Sequence, residues 1–411
     1  MKNIKFAKIA AAAACAALSA QAYGAGFQIL EQGASNMGTS MAGAVTNAND
    51  DSTAAYNNPS AFAFADIEAG TTTASMGLSL VLPTLGLHSA GDGKDYDCAV
   101  NSYVPNFFFG HRFTDDLSAT LSVTAPFGLE SKYEDDFRTV GGMQGMHSYL
   151  MTIDVNPSVV YKVADWLSVS GGISAQYIYC KLTNAYPLAP MNTLKLAGSG
   201  WGVGGNVGFT VKYAEGGRAA FHWRSAVQQD LDGTARLAGS PIGDISASVK
   251  MPDSFNMGVY QKLPGMFDNF AVMLDYAYTR WSTFDELPVT GAVNSTTPEN
   301  WKDTSRVAFG VHYRPECLEK LLLRFGVAFD ESPVRGKAER TVRIPCSDRL
   351  WYSCGLGYEL AENISFDLAY IYIMTIGNSD VTRSEPPIPQ TVNGYYYGHI
   401  HVLAAQVNFK F

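Results

Sequence analysis

From about residue 67 to its last residue, the chain reads as strand-length blocks in which apolar and polar side chains alternate one by one. Leu117, Ala119, Leu121 and Val123 alternate with Ser118, Thr120, Ser122 and Thr124. Met151, Ile153, Val155, Val159 and Tyr161 alternate with Thr152, Asp154, Asn156, Ser158 and Lys162, and the same rhythm recurs at Leu167–Tyr179 and Ile364–Tyr372. A period of two places the two sets on opposite faces of a strand. The blocks number fourteen, from 67–82 through 117–128, 200–213 and 247–262 to 397–411. Their connections alternate short and long. Thr114–Asp116, Ala164–Asp165, Ala214–Gly217 and Ala361–Glu362 are short; 83–99, 129–147, 184–199, 233–246, 283–300, 332–347 and 377–396 are long. A sandwich has no reason to gather every long loop at one end. A barrel crossing an outer membrane does, with short periplasmic turns and long extracellular loops.

Composition agrees. Charged residues are 16% and aromatics 12%, with 39 glycines among 411 residues. No segment after the leader approaches the ~18 consecutive apolar residues of a membrane helix. The leader has Lys2, Lys5 and Lys8, an apolar stretch from Ile9 to Leu18, and small residues at Ala20-Gln21-Ala22 or Ala22-Tyr23-Gly24. This is a secretory signal, assigned to residues 1–24. Cys15 lies inside its apolar stretch, a poor place for a lipid-anchored cysteine. Removing three lysines moves the net charge from −9 to −12, which speaks against nucleic acid as a partner. Cys98, Cys180, Cys317, Cys346 and Cys354 remain, without the spacing of a metal site or a disulfide framework.

Parity chooses the lumen. Arg218, His222 and Arg224 share a face, as do Arg306 with His312, Arg324 with Asp330, and Arg349 with Glu359. The opposite faces carry Phe221, Trp223, Phe309, Phe325, Val327, Phe329 and Tyr352. A charge on the lipid face at the midplane costs about 2–4 kcal/mol, so the charged sets point inward. Between leader and barrel lies Gly26–Phe64, rich in Gly, Ala, Ser and Asn, with neither strand nor long-helix periodicity. It is suited to plugging the barrel. The expectation is an all-β, 14-stranded antiparallel transmembrane barrel over 66–411 with a hatch, residues 25–65, in its lumen. Both termini would be periplasmic, in the outer membrane of a Gram-negative cell surrounded by outer-membrane lipid. The final strand ends at Phe411, the pattern by which the barrel-assembly machinery recognises its clients.

The chain resembles the FadL/TodX (OmpP1) family of outer-membrane transporters for hydrophobic compounds. The likeness is carried along the chain by Gly26-Phe27-Gln28, Asp50-Asp51, and Asn58-Pro59, where Ser60 replaces the usual Ala. It continues through Ala125-Pro126-Phe127-Gly128-Leu129, Asn156-Pro157-Ser158, Trp223-Arg224-Ser225 and Met251-Pro252-Asp253-Ser254. Arg280-Trp281-Ser282-Thr283-Phe284, Asn300-Trp301-Lys302-Asp303, Arg324–Val334 and Arg340–Arg349 complete it. The resemblance implies uptake of hydrophobic molecules, long-chain fatty acids foremost, by loop capture, hatch rearrangement and lateral diffusion through the wall. A channel for aromatic hydrocarbons of the toluene type is the alternative, a general porin a more distant one.

Within that frame, Asn58 and Pro59 form the hatch motif. Pro126, Phe127 and Gly128 form a kink, because Pro donates no ladder bond and Gly weakens a strand. The bland readings are a turn and a strand end. Arg224 and Arg306 are candidates for a carboxylate head group, which Arg can bind bidentately; the alternative is pairing with lumenal acids such as Asp275, Asp330, Glu359 and Asp367. Apolar residues of 184–199 and 233–246, among them Leu188, Met191 and Ile242, offer either a landing groove or loop packing. No nucleophile motif, metal-ligand spacing or cofactor signature is present, so no enzyme is expected.

Overall fold

Alternating strands with an apolar outer face have a single way to satisfy every backbone group in lipid, which is to close on themselves. The computed structural model, which describes residues 26–411, is such a closed 14-stranded antiparallel barrel. The leader and Cys15 lie outside the described residues. Nine strands are continuous: β1 (Thr72–Ser89), β2 (Ser102–Arg112), β4 (His147–Ala164), β5 (Leu167–Tyr186), β6 (Ala189–Ala214), β11 (Leu321–Asp330), β12 (Asp348–Ala361), β13 (Ile364–Ile376) and β14 (Thr391–Lys410). Five are interrupted: β3 (Leu117–Thr124, then Gly128–Lys132), β7 (Gly217–Arg224, then Val227–Leu237), β8 (Ser240–Met251, then Ser254–Lys262), β9 (Phe270–Thr279, then Glu286–Gly291) and β10 (Ser295–Pro298, then Thr304–Tyr313). The barrel closes by β1 pairing with β14, from Thr73↔Lys410 to Ser89↔Gly394.

The parity argument holds. Arg218, His222, Arg306, His312, Arg324, Asp330 and Arg349 are buried toward the lumen, while Phe309, Phe325, Val327 and Tyr352 are exposed toward lipid. Glu359 is the exception; it lies at the exposed periplasmic rim and pairs with Arg314 at 3.2 Å. The five described cysteines are free thiols.

Two expected loops are not loops. Residues 184–199 and 233–246 continue the strands, joined by tight turns at 187–188 and 238–239. Their alternation is hidden because above the bilayer the outer face need not be apolar: Lys195, Thr234, Arg236, Asp244 and Ser246 face outward there. Leu188 and Met191 stand at one tip, about 85% exposed, whereas Leu196 is buried inward.

The hatch fills the lumen as short helices at Ala34–Met37 and Ala54–Asn57 and a 3-10 turn at Pro59–Phe64, nearly all of it buried. Polar wall groups hold it. Asp275 accepts from the Gly43 and Val45 amides at 2.9 and 3.3 Å. Arg218 pairs with Asp50 at 2.6 Å. Arg324 donates to Asn49 at 2.9 Å while pairing with wall Asp367 at 2.6 Å. Arg112 donates to the carbonyls of Phe62 and Ala63 at the end of the 3-10 turn, a cation where the helical carbonyls are bare. At Thr39 the hatch backbone lies directly on the wall. A Cβ at Gly326 would sit 2.1 Å from the Thr39 carbonyl carbon, and one at Gly310 2.9 Å from the Thr39 Cβ. The wall is glycine there because only a bare strand leaves room for the plug.

Gly326→Val therefore unseats the hatch without altering strand polarity. Limited proteolysis of the purified variant is expected to cut within residues 38–57 while the barrel keeps its heat-modifiable mobility on gels; wild-type resistance at those sites would refute the glycine seat.

Candidate functional site

The wall breaks where the sequence placed Pro and Gly. β3 stops at Thr124 and resumes at Gly128; Thr124 pairs with Asp154 and Gly128 with Met151, so one extra residue is accommodated. β2 pairs with β3 only from Phe107 to Arg112, leaving Ser102–Asn106 bonded to β1 alone. A gap thus opens between β2 and the upper half of β3. The backbone groups released by the break turn inward and find the hatch: Ile29 N donates to Pro126 O at 2.8 Å, and Gly128 N to Phe27 O at 2.9 Å. Gln32 Nε2 donates to Ala125 O at 2.8 Å, and the Thr152 hydroxyl accepts from the Phe127 amide at 2.9 Å.

Pro126 and Phe127 line a cavity together with Leu30, Met41, Tyr56 and both candidate arginines. Neither guanidinium is idle. Arg224 pairs with Asp154 at 3.2 Å, donates to Tyr56 O at 3.0 Å and lies over the Tyr56 ring. Arg306 donates to Ser40 O at 2.8 Å and stacks over Trp351 at 4.8 Å. Both tie the hatch to the wall while facing the cavity. Asn58 and Pro59 lie beside it. Asn58 accepts from the Ser60 amide as the cap of the 3-10 turn, and donates to Val45 O and Thr210 Oγ1 at 2.9 and 3.1 Å. Pro59 takes the first position of that turn, where no amide is needed. The departure at Ser60 adds bonds, to Asn58 Oδ1 and Thr210 Oγ1, both at 2.8 Å.

A second cavity lies above and was missed by sequence reasoning. Its walls are apolar: Leu150, Ile178, Leu182, Leu196, Leu231, Ile245 and Val289 from six strands, β4 to β9, with Leu129, Phe284 and Ile344. Two charged residues, Arg343 and Glu299, join that lining. Arg343 donates to Ser148 Oγ at 2.8 Å and to Asn184 Oδ1 at 2.7 Å, both neutral; it has no carboxylate within ion-pair distance among the described residues. Glu299 is 2% exposed, and its Oε2 has no hydrogen-bond partner among the described residues. Burial pushes its carboxyl up to about 8, against the opposing pull of Arg383 and Arg343. Arg343 lies within the Arg340–Arg349 stretch of the sequence, but in a connection without periodicity, so nothing marked its direction.

Phe27 lines this second cavity while its neighbours Gln28 and Phe127 line the first, so an aromatic cluster stands where the two approach. Phe27, 1% exposed, packs edge-on against Trp281 at 4.8 Å, Phe284 at 5.3 Å and Phe127 at 6.0 Å. Gly26 precedes it with φ +66°, and a Cβ there would sit 2.6 Å from the Trp301 ring.

The family model described as outer membrane protein transport protein (OMPP1/FadL/TodX) matches residues 15–411. The chain belongs to the OMPP1/FadL/TodX family. It is similar to the long-chain fatty acid transport protein of Escherichia coli O6:H1, 29% identical with 90% of this chain and 91% of that one covered. It is also similar to outer membrane protein P1 of Haemophilus influenzae, 28% identical over the full length of both. In fold it matches a Pseudomonas aeruginosa FadL homologue with TM-score 0.82 at 18% identity, covering 94% and 99% of the two chains. The Pseudomonas putida toluene transporter TodX gives 0.65 at 16%, covering 87% and 93%. As a member of the OMPP1/FadL/TodX family, this is an outer-membrane protein for the transport of hydrophobic compounds, from a family of transporters and channels rather than enzymes.

Phe27→Ala removes the central ring of the aromatic cluster where the cavities approach. Planar-bilayer recordings are expected to show a raised steady conductance over a nearly silent wild type; equal silence would move the barrier to another residue.

Proposed function

We propose that the chain takes up long-chain fatty acids. The observation that carries this reading is Arg343, a partly buried cation with no ion-pair partner within 4 Å among the described residues, on the wall of a largely apolar cavity. Buried charges call for partners, and a carboxylate suits a guanidinium's paired donors. The acyl chain would lie against Leu182, Leu196, Leu231 and Ile245, with its head at Arg343 and the protonated Glu299. Phe27 would then move, passing the chain into the lower cavity, where Arg224 and Arg306 meet the head group. Because Phe27 and Gly128 share a hydrogen bond, the same movement loosens the kink, and the molecule leaves sideways between β2 and β3. Asn58 and Pro59 anchor the body of the hatch while its amino end moves. Transport of this kind runs down a binding gradient. An aromatic hydrocarbon would occupy the apolar walls but leave Arg343 unanswered, and a general porin has no use for a filled lumen.

Arg343→Ala should weaken oleate binding by about 2 kcal/mol, the scale of a charged hydrogen bond, while toluene binding stays within error; isothermal titration in detergent measures both. Equal loss for the two ligands would refute the head-group assignment. Glu299 adds a pH test. Protonated at pH 7, it donates to the ligand carboxylate; ionised above pH ~8, it repels it. Oleate affinity should fall between pH 7 and 9 in the wild type and stay level in Glu299→Gln. For the exit, a Pro126→Ala/Gly128→Val double variant should bind oleate normally yet import it several-fold more slowly into liposomes. Unchanged import would exclude the kink as the way out.

A further inference from the structure

The outer surface of the barrel carries a row of cations that the transport path does not use. Lys132 of β3 pairs in register with His147 of β4, His147 with Thr183 of β5, Thr183 with Lys195 of β6, and Lys195 with Arg236 of β7. These positions share the outward parity of the strands. Lys132, Lys195 and Arg236 are exposed. Lys181 stands two residues nearer the membrane, its Nζ 5.5 Å over the Tyr149 ring. Four interstrand spacings separate Lys132 from Arg236, about 19 Å. Glu130 lies inside this patch and is taken by His147 at 2.9 Å; at its far edge Asp232 of β7 accepts from Ser246, and the exposed Asp244 of β8 pairs in register with Thr234, diagonal to Arg236. None of Lys132, Lys181, Lys195 and Arg236 has an ion-pair partner within 4 Å among the described residues.

Height decides what such a row meets. Directly below it Tyr149 packs on Tyr179 and Tyr177 on Trp201, outward aromatics of the kind that mark a membrane–water boundary. Below those, Ile173 and Val203 are exposed to the extent of 63% and 72%, as lipid-facing residues must be. Because barrel strands tilt by about 35–45°, the row runs obliquely through the outer-leaflet head-group region on the extracellular side, where a basic cluster attracts anionic lipid.

We propose that Lys132, Lys181, Lys195 and Arg236 form a binding site for the phosphate groups of the glycolipid of the outer leaflet. The partner is defined by charge and position: an anion anchored by acyl chains that cover the apolar band while its phosphates meet the row. The site also touches transport. Leu182 and Leu196, neighbours of Lys181 and Lys195 on the same strands, point inward and line the apolar cavity. A lipid gripping the outer face of the β5–β6 hairpin would steady that cavity's roof.

Native mass spectrometry of the full chain in mild detergent, with bis-phosphorylated lipid A as probe, tests this. The wild type is expected to retain one lipid A through activation energies that strip it from the Lys132→Glu/Lys181→Glu/Lys195→Glu variant, with apparent affinity at least tenfold lower in the variant. The corresponding triple arginine variant should keep the lipid, and so should Lys262→Glu at the periplasmic rim. Enzymatically dephosphorylated lipid A should bind the wild type as weakly as the phosphorylated form binds the triple glutamate variant. Equal retention by wild type and triple glutamate variant, or equal binding of both lipids, would overturn the proposal. Heat-modifiable mobility of each variant reports that the barrel has folded.

Discussion

Three hydrogen bonds between the hatch and the interrupted strand β3 set the terms for the rest of the molecule. Ile29 to Pro126, Gly128 to Phe27 and Gln32 to Ala125 serve backbone groups that the break in the ladder would otherwise leave bare. These residues are buried between wall and hatch, and a buried backbone group left unpaired is costly. The wall can afford its gap because the plug supplies the missing partners, and the plug's amino end is held where it is because the wall needs it. Each such bond contributes on the order of 1 kcal/mol net. Shifting a two-state equilibrium from 1:99 to 99:1 takes about 5.5 kcal/mol of differential binding. A few bonds and one aromatic ring fall within that range, so the proposed release of the hatch's amino end asks of a ligand no more than a differential affinity of about that size.

The remainder of the hatch is held differently. Asp50 meets Arg218, Asn49 meets Arg324 and its partner Asp367, and Arg112 holds the carbonyls of Phe62 and Ala63. Removing one partner of a buried pair such as Arg324–Asp367 costs about 3–5 kcal/mol, because the other charge is left stranded; the half-exposed Asp50 of the Arg218 pair is worth less. Buried pairs are weak evidence of net stability, but they fix position. The division of labour follows: the periplasmic half of the plug is pinned by charge, the amino end by contacts that can be undone singly.

Most of this architecture is legible in the residues because lipid enforces it. The parity of Arg306 against Val307 or Arg324 against Phe325 has one solution at the midplane, and Pro126 and Gly128 announce a broken ladder wherever they fall in a strand. The reading weakens where lipid stops. Above the bilayer the outward positions of β6, β7 and β8 become Lys195, Thr234, Arg236, Asp244 and Ser246, the period of two loses its polarity contrast, and tall hairpins read as loops. Arg343 and Glu299 are hidden for a related reason: each sits in an irregular connection, where chain direction follows from packing on distant strands. Arg224 and Arg306 were found because strand parity aimed them inward, yet parity says nothing of Asp154 or Tyr56 waiting beside them.

Selectivity, on the proposed reading, comes from what the upper cavity leaves undone. Ser148 and Asn184 orient Arg343 but do not neutralise it, and Glu299, held neutral by its burial, cannot serve as a counter-ion. A site built to hydrogen-bond one group of its ligand discriminates far more strongly against an analogue lacking that group than an apolar surface does against a missing methylene. Apolar walls alone accept any greasy molecule of the right bulk. A guanidinium among them turns the same cavity toward molecules that carry an anion at one end, and a neutral acid beside it adds a donor without adding repulsion.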